Sequence, residues 1–70
     1  MTNLNIENLN TVTYDEAMNE YTLEFNVDGE MAYIRVDADN YPEAATDEDY
    51  FDDEANVEKA VKEAKENGQI

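Results

Sequence analysis

The chain has 70 residues, of which 19 are Asp or Glu and 4 are Lys or Arg, giving a formal net charge of −15. It contains no Cys, His, Ser or Trp, so disulfides, thiolate zinc sites and nucleophiles of the Ser-His or Cys-His type are excluded. Hydrophobic residues make up 41% and aromatic residues 10%, which favours a single folded domain of residues 1–70 over a disordered acidic tail.

Within the first ten residues, Leu4, Ile6 and Leu9 are expected to cover an edge or the bottom of the core, and the conformation of this segment stays unassigned. The segment lacks the basic and apolar regions of a signal peptide, and no apolar run in the chain approaches the roughly 20 residues that span a bilayer. We therefore expect a cytoplasmic protein without membrane contact, because an anionic membrane surface would repel so acidic a chain.

Three segments have the composition of β-strands. Residues 11–14 read Thr-Val-Thr-Tyr, and residues 20–27 alternate apolar with polar side chains, the period of a half-buried strand. Asp28 and Gly29 then have the composition of a type I′ turn, in which glycine readily takes positive φ. Residues 30–37 follow as a third strand, so the sequence predicts a β-hairpin with one strand before it.

The register of these strands follows from the turn. A two-residue loop sets Val27 opposite Glu30, and every apolar residue of the hairpin strands then lies on one face. Pairing Tyr14 with Tyr21 adds the first strand to an antiparallel meander. The outer strands of this sheet have free edges, which would permit either a monomer or a dimer.

Residues 38–55 form an acidic connection, in which Pro42 marks the passage from sheet to helix. Residues 56–67 predict the main helix, with Asn56 as its N-cap and Gly68 at its end.

A helical segment before the main helix is also predicted. An unbroken helix from Thr46 would place Glu54 on the same stripe as Tyr50 and Val57, burying a charge without a partner. We therefore expect a short helical segment at residues 47–51, then a break, then the main helix. The predicted fold class is α+β, a three-stranded antiparallel meander with a C-terminal helix packed on one face.

The densest charge lies in the second half of the chain. Nine acids and no base occur between positions 37 and 54: Asp37, Asp39, Glu43, Asp47, Glu48, Asp49, Asp52, Asp53 and Glu54. Such a surface repels nucleic acid and attracts a basic protein. The predicted function is therefore inhibition of a basic nucleic-acid-binding protein by imitation of the charge of DNA.

Two pairs of less polar residues are candidate anchors for such a partner. Tyr50 and Phe51 lie inside the acidic run, and the alternative for them is a place in the small core. Tyr33 and Met31 lie on the open face of the hairpin, where they would serve an interaction module that docks through its sheet. The acids have an alternative as well, since carboxylates before a helix stabilise its N-terminus and acid-rich surfaces stay solvated in high salt.

Catalysis and metal binding have weak support in the sequence. Only carboxylates, Lys, Tyr and Thr remain as reactive groups, and no catalytic residue is assigned. Asp37, Asp39 and Glu48 match the first, third and twelfth positions of a calcium loop, but Pro42 stands where such a loop needs glycine. We expect no enzyme activity, no cofactor and no dedicated metal site.

Residues 33–39 and the run Asp-Tyr-Phe-Asp-Asp-Glu-Ala at residues 49–55, followed by a helix, resemble part of an inhibitor among the small acidic phage anti-CRISPR proteins that act as DNA mimics. The resemblance covers less than half of the chain. It implies a phage-encoded protein in the bacterial cytoplasm whose carboxylates replace target-DNA phosphates on a CRISPR surveillance complex. A restriction enzyme, a histone-like protein or a polymerase accessory factor remain alternative partners.

Overall fold

The computed structural model describes residues 4–70, and residues 1–3 of the predicted domain lie outside the described part. Three strands, β1 (Leu9–Asp15), β2 (Glu20–Val27) and β3 (Glu30–Asp37), form one antiparallel sheet in the order β1-β2-β3. The helix α1 (Glu54–Glu66) packs on one face of this sheet and contacts β3 more extensively than the other two strands. The predicted α+β class and the meander are confirmed.

The β2–β3 hairpin has the predicted bounds and register. Val27 lies opposite Glu30, Phe25 opposite Ala32, and the pairing continues without a shift to the far end of both strands. In the turn, Asp28 and Gly29 have φ values of 53° and 85°, as a type I′ turn requires.

The first strand is longer than predicted. It pairs Val12 with Leu23 and Tyr14 with Tyr21, as expected, but it begins at Leu9 rather than at residue 11. The register shifts between Leu9 and Thr11, so one extra residue interrupts the ladder there. That irregularity hides the start of the strand from a search for strict alternation.

The helix begins two residues before its predicted start, which corrects the assignment of its N-cap. Asp53 has extended backbone angles, and its Oδ1 accepts a hydrogen bond from Ala55 N at 2.9 Å. Asn56 instead lies within the first turn, where its Nδ2 donates to Tyr50 O at 2.8 Å. A carboxylate at the N-cap also interacts favourably with the helix dipole, which an amide does not.

The helix ends at Glu66, one residue before the predicted end, and Gly68 terminates it as predicted. Gly68 takes φ 77°, and its N–H donates to Lys65 O at 3.1 Å, while Gln69 N donates to Ala64 O at 2.9 Å. These two bonds form a Schellman motif.

The connection between β3 and α1 consists of three short 3-10 turns, Ala38–Asn40, Pro42–Ala45 and Tyr50–Asp52. The predicted break before the helix is present, and it leaves Glu54 exposed. The helical segment expected at residues 47–51 lies slightly later in the chain than predicted.

The core lies between the sheet and the helix, and the connection completes it. The sheet and helix contribute Tyr21, Leu23, Phe25, Ile34, Val36, Val57, Ala60, Val61 and Ala64. Leu4 adds to one end, and the connection contributes Tyr41, Tyr50 and Phe51. Three of the thirteen buried residues are thus aromatics from the connection, so that segment is part of the hydrophobic core rather than a loop laid over it.

Candidate partner-binding surface

The acidic segment, residues 37–54, runs from the end of β3 to the first residue of α1. All nine of its carboxylates are exposed: Asp37, Asp39, Glu43, Asp47, Glu48, Asp49, Asp52, Asp53 and Glu54. The segment therefore has an apolar inner side, formed by three buried aromatic residues, and a uniformly anionic outer side. Within residues 4–70, the search for three or more Asp, Glu, His or Cys placed to hold a metal ion found no such group.

Four of these carboxylates accept internal hydrogen bonds, three of them from nearby backbone N–H groups. Asp37 Oδ1 accepts from Asp39 N, and Asp47 Oδ1 accepts from Asp49 N, each at 2.9 Å, while Asp53 caps the helix. Asp39 Oδ1 accepts from Asn19 Nδ2 at 2.9 Å, which joins the segment to the β1–β2 loop. Local bonds of this kind favour turns over regular structure, which explains the irregular course of the segment.

The other acids have no such structural task. These five make no side-chain hydrogen bond within the part of the chain that the structure describes: Glu43, Glu48, Asp49, Asp52 and Glu54. Their carboxylates are available to an incoming cation without loss of an internal contact.

Tyr50 and Phe51 do not serve as exposed anchors. Their side chains are only 8% and 6% exposed, and their rings lie 4.9 Å apart at nearly a right angle. Phe51 also lies 5.7 Å from the ring of Tyr21 on the sheet. The core alternative is therefore the correct one for both residues, and the anchor interpretation is withdrawn.

Tyr41 is the residue of this surface that sequence reasoning missed. Its side chain is completely buried, and its hydroxyl donates to Glu63 Oε1 on α1 at 3.1 Å. Burial raises the pKa of Tyr41 well above its usual range, and the adjacent Glu63 carboxylate raises it further. The only signal in the sequence is an aromatic residue before proline, which does not distinguish a buried position from an exposed one.

Glu63 joins the start of the acidic segment to the helix. Its Oε1 also accepts from Asn40 Nδ2 at 3.0 Å, and its Oε2 accepts from Asp37 N at 3.1 Å. Lys59, one turn earlier on α1, donates to Asn40 O at 3.0 Å and places its ammonium 4.7 Å from the centre of the Tyr41 ring. Two charged side chains of the helix thus hold the segment in place.

Tyr50 is subject to the charges of the same segment. Its pKa is raised, first by burial and then by the negative charges of Glu43 and Asp53. Carboxylates on both sides of Tyr50 in the chain therefore act on one buried phenol, and this core position favours the neutral tyrosine.

A groove lies between the acidic segment and β1, with a volume of about 410 Å³. Val12 and Tyr14 of β1 and Phe51 of the segment contribute apolar surface to it, and Asp47, Glu48 and Asp52 line it as well. Val12 is 38% exposed and Tyr14 50% exposed, although both lie on the face of the sheet that the helix covers elsewhere. The helix α1 and the acidic segment therefore leave part of β1 uncovered.

The opposite face of the sheet is open. Tyr33 is 57% exposed and Met31 40% exposed, so the predicted second patch is accessible. Tyr33 and Arg35 line a wide depression together with Glu24. Arg35 makes this face less uniformly anionic than the acidic segment.

Among residues 4–70, no helix combines the length and the apolar character needed to cross a bilayer. No family model, no curated protein and no solved structure matches the chain.

Proposed function

We propose that this protein binds a basic nucleic-acid-binding protein through the acidic segment and competes with nucleic acid for it. The observation that carries the proposal is the exposure of all nine carboxylates of residues 37–54, in a stretch without a single Lys or Arg. A partner whose own surface is rich in Lys and Arg complements this charge.

Duplex DNA has one negative charge per about 1.7 Å of its axis, and the proteins that bind it present cationic side chains along a groove. A folded acidic segment can enter such a groove when its carboxylates already have fixed positions, because less entropy is then lost on binding. The side-chain bonds of Asp37, Asp47 and Asp53 to nearby backbone N–H groups supply that order.

The more specific form of the proposal is a phage inhibitor that acts in the bacterial cytoplasm and prevents a CRISPR surveillance complex from binding its target DNA. It is supported by the resemblance of residues 33–39 and 49–55 to a DNA-mimicking inhibitor. Restriction enzymes and other basic DNA-binding proteins satisfy the same charge requirement.

The decisive experiment neutralises acids that have no structural task. The variant Glu48→Gln, Asp49→Asn, Asp52→Asn removes three charges from the segment, and the control Glu16→Gln, Asp28→Asn, Glu30→Gln removes three from the β-turns and the start of β3. Both are compared for capture of proteins from a bacterial lysate and for displacement of the captured protein by duplex DNA.

We expect the segment variant to bind about tenfold more weakly, since exposed charge pairs contribute about 0.5 kcal/mol each and about 1.4 kcal/mol is a factor of ten. The control should bind like the wild type, and binding should weaken steeply between about 50 and 200 mM salt. Equal capture by both variants, or indifference of the complex to DNA, would contradict the proposal and favour a purely solvating role of the acids.

A second candidate function is an interaction module that docks through the open face of the sheet. The exposure of Tyr33 and Met31 favours it. In that case Tyr33→Ala would weaken capture more than neutralisation of the three acids does. Phe51→Ala, in contrast, would report on folding because Phe51 is buried.

A further inference from the structure

The two outer strands of the sheet, β1 and β3, differ in which of their outward-facing backbone N–H and C=O groups are hydrogen-bonded. A two-residue type I′ turn makes Val27 and Glu30 a hydrogen-bonded pair, and such pairs alternate with non-bonded pairs along an antiparallel ladder. Thr22 therefore directs its N–H and C=O toward β1, where it is opposite Thr13. It follows that Val12, the residue before Thr13, directs its N–H and C=O away from the sheet, and so does Tyr14.

The corresponding groups on the β3 edge are occupied at Arg35 and Asp37, in the second half of the strand. Arg35 N donates to Gln69 Oε1 at 2.8 Å, and Gln69 Nε2 donates to Arg35 O at 2.7 Å, so one side-chain amide pairs with β3 as a neighbouring strand would. Asp37 N donates to Glu63 Oε2 at 3.1 Å. Among residues 4–70 the outward groups of Val12 and Tyr14 have no such partner. Within that range Met31 and Tyr33, nearer the turn, have none either, so β3 is blocked over its second half whereas β1 is open at both Val12 and Tyr14.

This open edge borders the groove. The side chains of Val12 and Tyr14 are 38% and 50% exposed and face the groove, so the same two residues offer both free backbone groups and apolar surface. Asp47, Glu48 and Asp52 line the groove as well. A segment that pairs with β1 would therefore meet apolar surface and then carboxylates.

We infer that β1 and this groove bind an extended Lys- or Arg-containing segment of a partner protein by strand addition. The inference rests on the proposed function in one respect, the basic character of the partner. Main-chain pairing supplies affinity in such complexes, and alternate side chains supply specificity.

The groove suits long cationic side chains because it offers the apolar surface of Val12 and Tyr14 to their methylene stems and carboxylates to their charged ends. A residue of the incoming strand that pairs directly with Val12 or Tyr14 places its side chain on the same face, over the groove. The methylene stem of Lys or Arg would cover Val12, and its charged end would reach Asp47 or Glu48. A cation near Tyr14 also gains from the ring. A second copy of this chain is the weaker occupant, because two molecules of formal charge −15 repel each other.

The first test uses a short capped peptide in which Lys and Thr alternate. One version has N-methyl groups on its Lys residues, whose N–H groups would face β1, and the other has as many N-methyl groups on its Thr residues. Binding is followed at low salt by hydrogen exchange of the Val12 and Tyr14 amides. We expect protection with the unmodified and Thr-methylated peptides, and at least about tenfold weaker binding with the Lys-methylated peptide.

Equal binding of the two methylated peptides would overturn the inference, since charge alone would then explain the binding. Protection of the Val12 and Tyr14 amides in the free protein at high concentration would also overturn it, because a second copy would then occupy the edge.

The second test replaces a residue on each edge. Val12→Pro removes one outward N–H of β1, and Met31→Pro removes the equivalent group of β3, where Met31 is similarly exposed at 40%. Both positions have outward-facing amides, where proline is tolerated in a strand, and circular dichroism checks that each variant keeps its fold. We expect Val12→Pro to weaken binding of the unmodified peptide about tenfold or more and Met31→Pro to leave it unchanged.

An equal loss of peptide binding in Val12→Pro and Met31→Pro would contradict the inference. A different result would contradict the proposed function. In that case the variant Glu48→Gln, Asp49→Asn, Asp52→Asn would retain full binding to a basic protein. That variant changes charge and leaves every backbone amide of β1 intact, so the two failures are distinguishable.

Discussion

The β2–β3 hairpin and the acidic segment are neighbours in the chain, but they are ordered by different means. The hairpin is held by a continuous ladder between residues close in sequence, with apolar side chains on one face. The acidic segment is held by a few contacts with distant residues, chiefly Tyr41 with Glu63 and Phe51 with Tyr21. The stability of the hairpin is therefore distributed over many residue pairs, whereas the order of the acidic segment depends on a few individual side chains.

The largest difference between the two regions should appear with Phe51→Ala. Removal of this buried ring leaves a cavity between the segment and the sheet, and such changes cost about 3–5 kcal/mol in the free energy of unfolding. Chemical denaturation followed by circular dichroism measures the loss. Tyr33→Ala, at an exposed position of the hairpin, should change it by less than about 0.5 kcal/mol. Similar losses for both variants would refute the contrast.

A smaller effect is expected for Glu63→Gln, which weakens one of the two side-chain connections between the segment and α1. Two carboxylate oxygens accept from Asp37 N, Asn40 Nδ2 and the Tyr41 hydroxyl, and an amide has one acceptor oxygen. The expected cost is about 1.5–3 kcal/mol, with faster hydrogen exchange at Asp37 than in the middle of the hairpin. Glu66→Gln, at the exposed end of the same helix, is the control and should leave both the free energy of unfolding and the hydrogen exchange of Asp37 unchanged.

Alkaline pH should destabilise the segment through Tyr41. Its folded-state pKa lies above the unfolded value of about 10, so the folded state retains a proton that the unfolded state releases. Its contribution to stability is therefore full below about pH 10 and is lost as the pH rises toward the folded-state pKa, at up to about 1.4 kcal/mol per pH unit. Denaturation between about pH 9 and 11 should show a shallower decline for Tyr41→Phe than for the wild type, and an unchanged slope would contradict this origin.

The smallest effect should come from Gly29→Ala in the hairpin turn. An added methyl group would have open space around it, so the cost is that of a non-glycine residue at φ 85°, about 1 kcal/mol. The melting temperature should fall by several degrees without a change in register, as measured by the cross-strand contacts of Val27 and Glu30. A larger loss, or a shifted register, would mean that the turn rather than the ladder determines the pairing.

The sequence was sufficient to predict the hairpin because its information is local. Alternation over residues 20–27 and the Asp-Gly turn together leave one register. The start of β1 was missed because the extra residue between Leu9 and Thr11 breaks that alternation. The helix start was missed because Asp53 and Asn56 are both good N-caps, and the choice depends on Asn56 bonding to Tyr50 O.

Less of the candidate surface could be predicted. The exposure of its nine carboxylates was expected from their charge. The burial of Tyr41, Tyr50 and Phe51 depends on how the segment packs against α1 and the sheet, which no local pattern encodes. The groove lies between β1 and residues far along the chain, so it exists only once the tertiary structure has formed.

The pairing of Gln69 with Arg35 has a consequence for self-association. Growth of a fibril by edge-to-edge addition requires both outer strands of every copy to accept a neighbour. Here a primary amide already occupies the N–H and C=O of Arg35 in β3, and a carboxylate of Glu63 occupies the N–H of Asp37. Within residues 4–70 these contacts leave Met31 and Tyr33 as the open outward-facing residues of β3, so a strand added at that edge is limited to a short ladder and edge-to-edge growth is disfavoured.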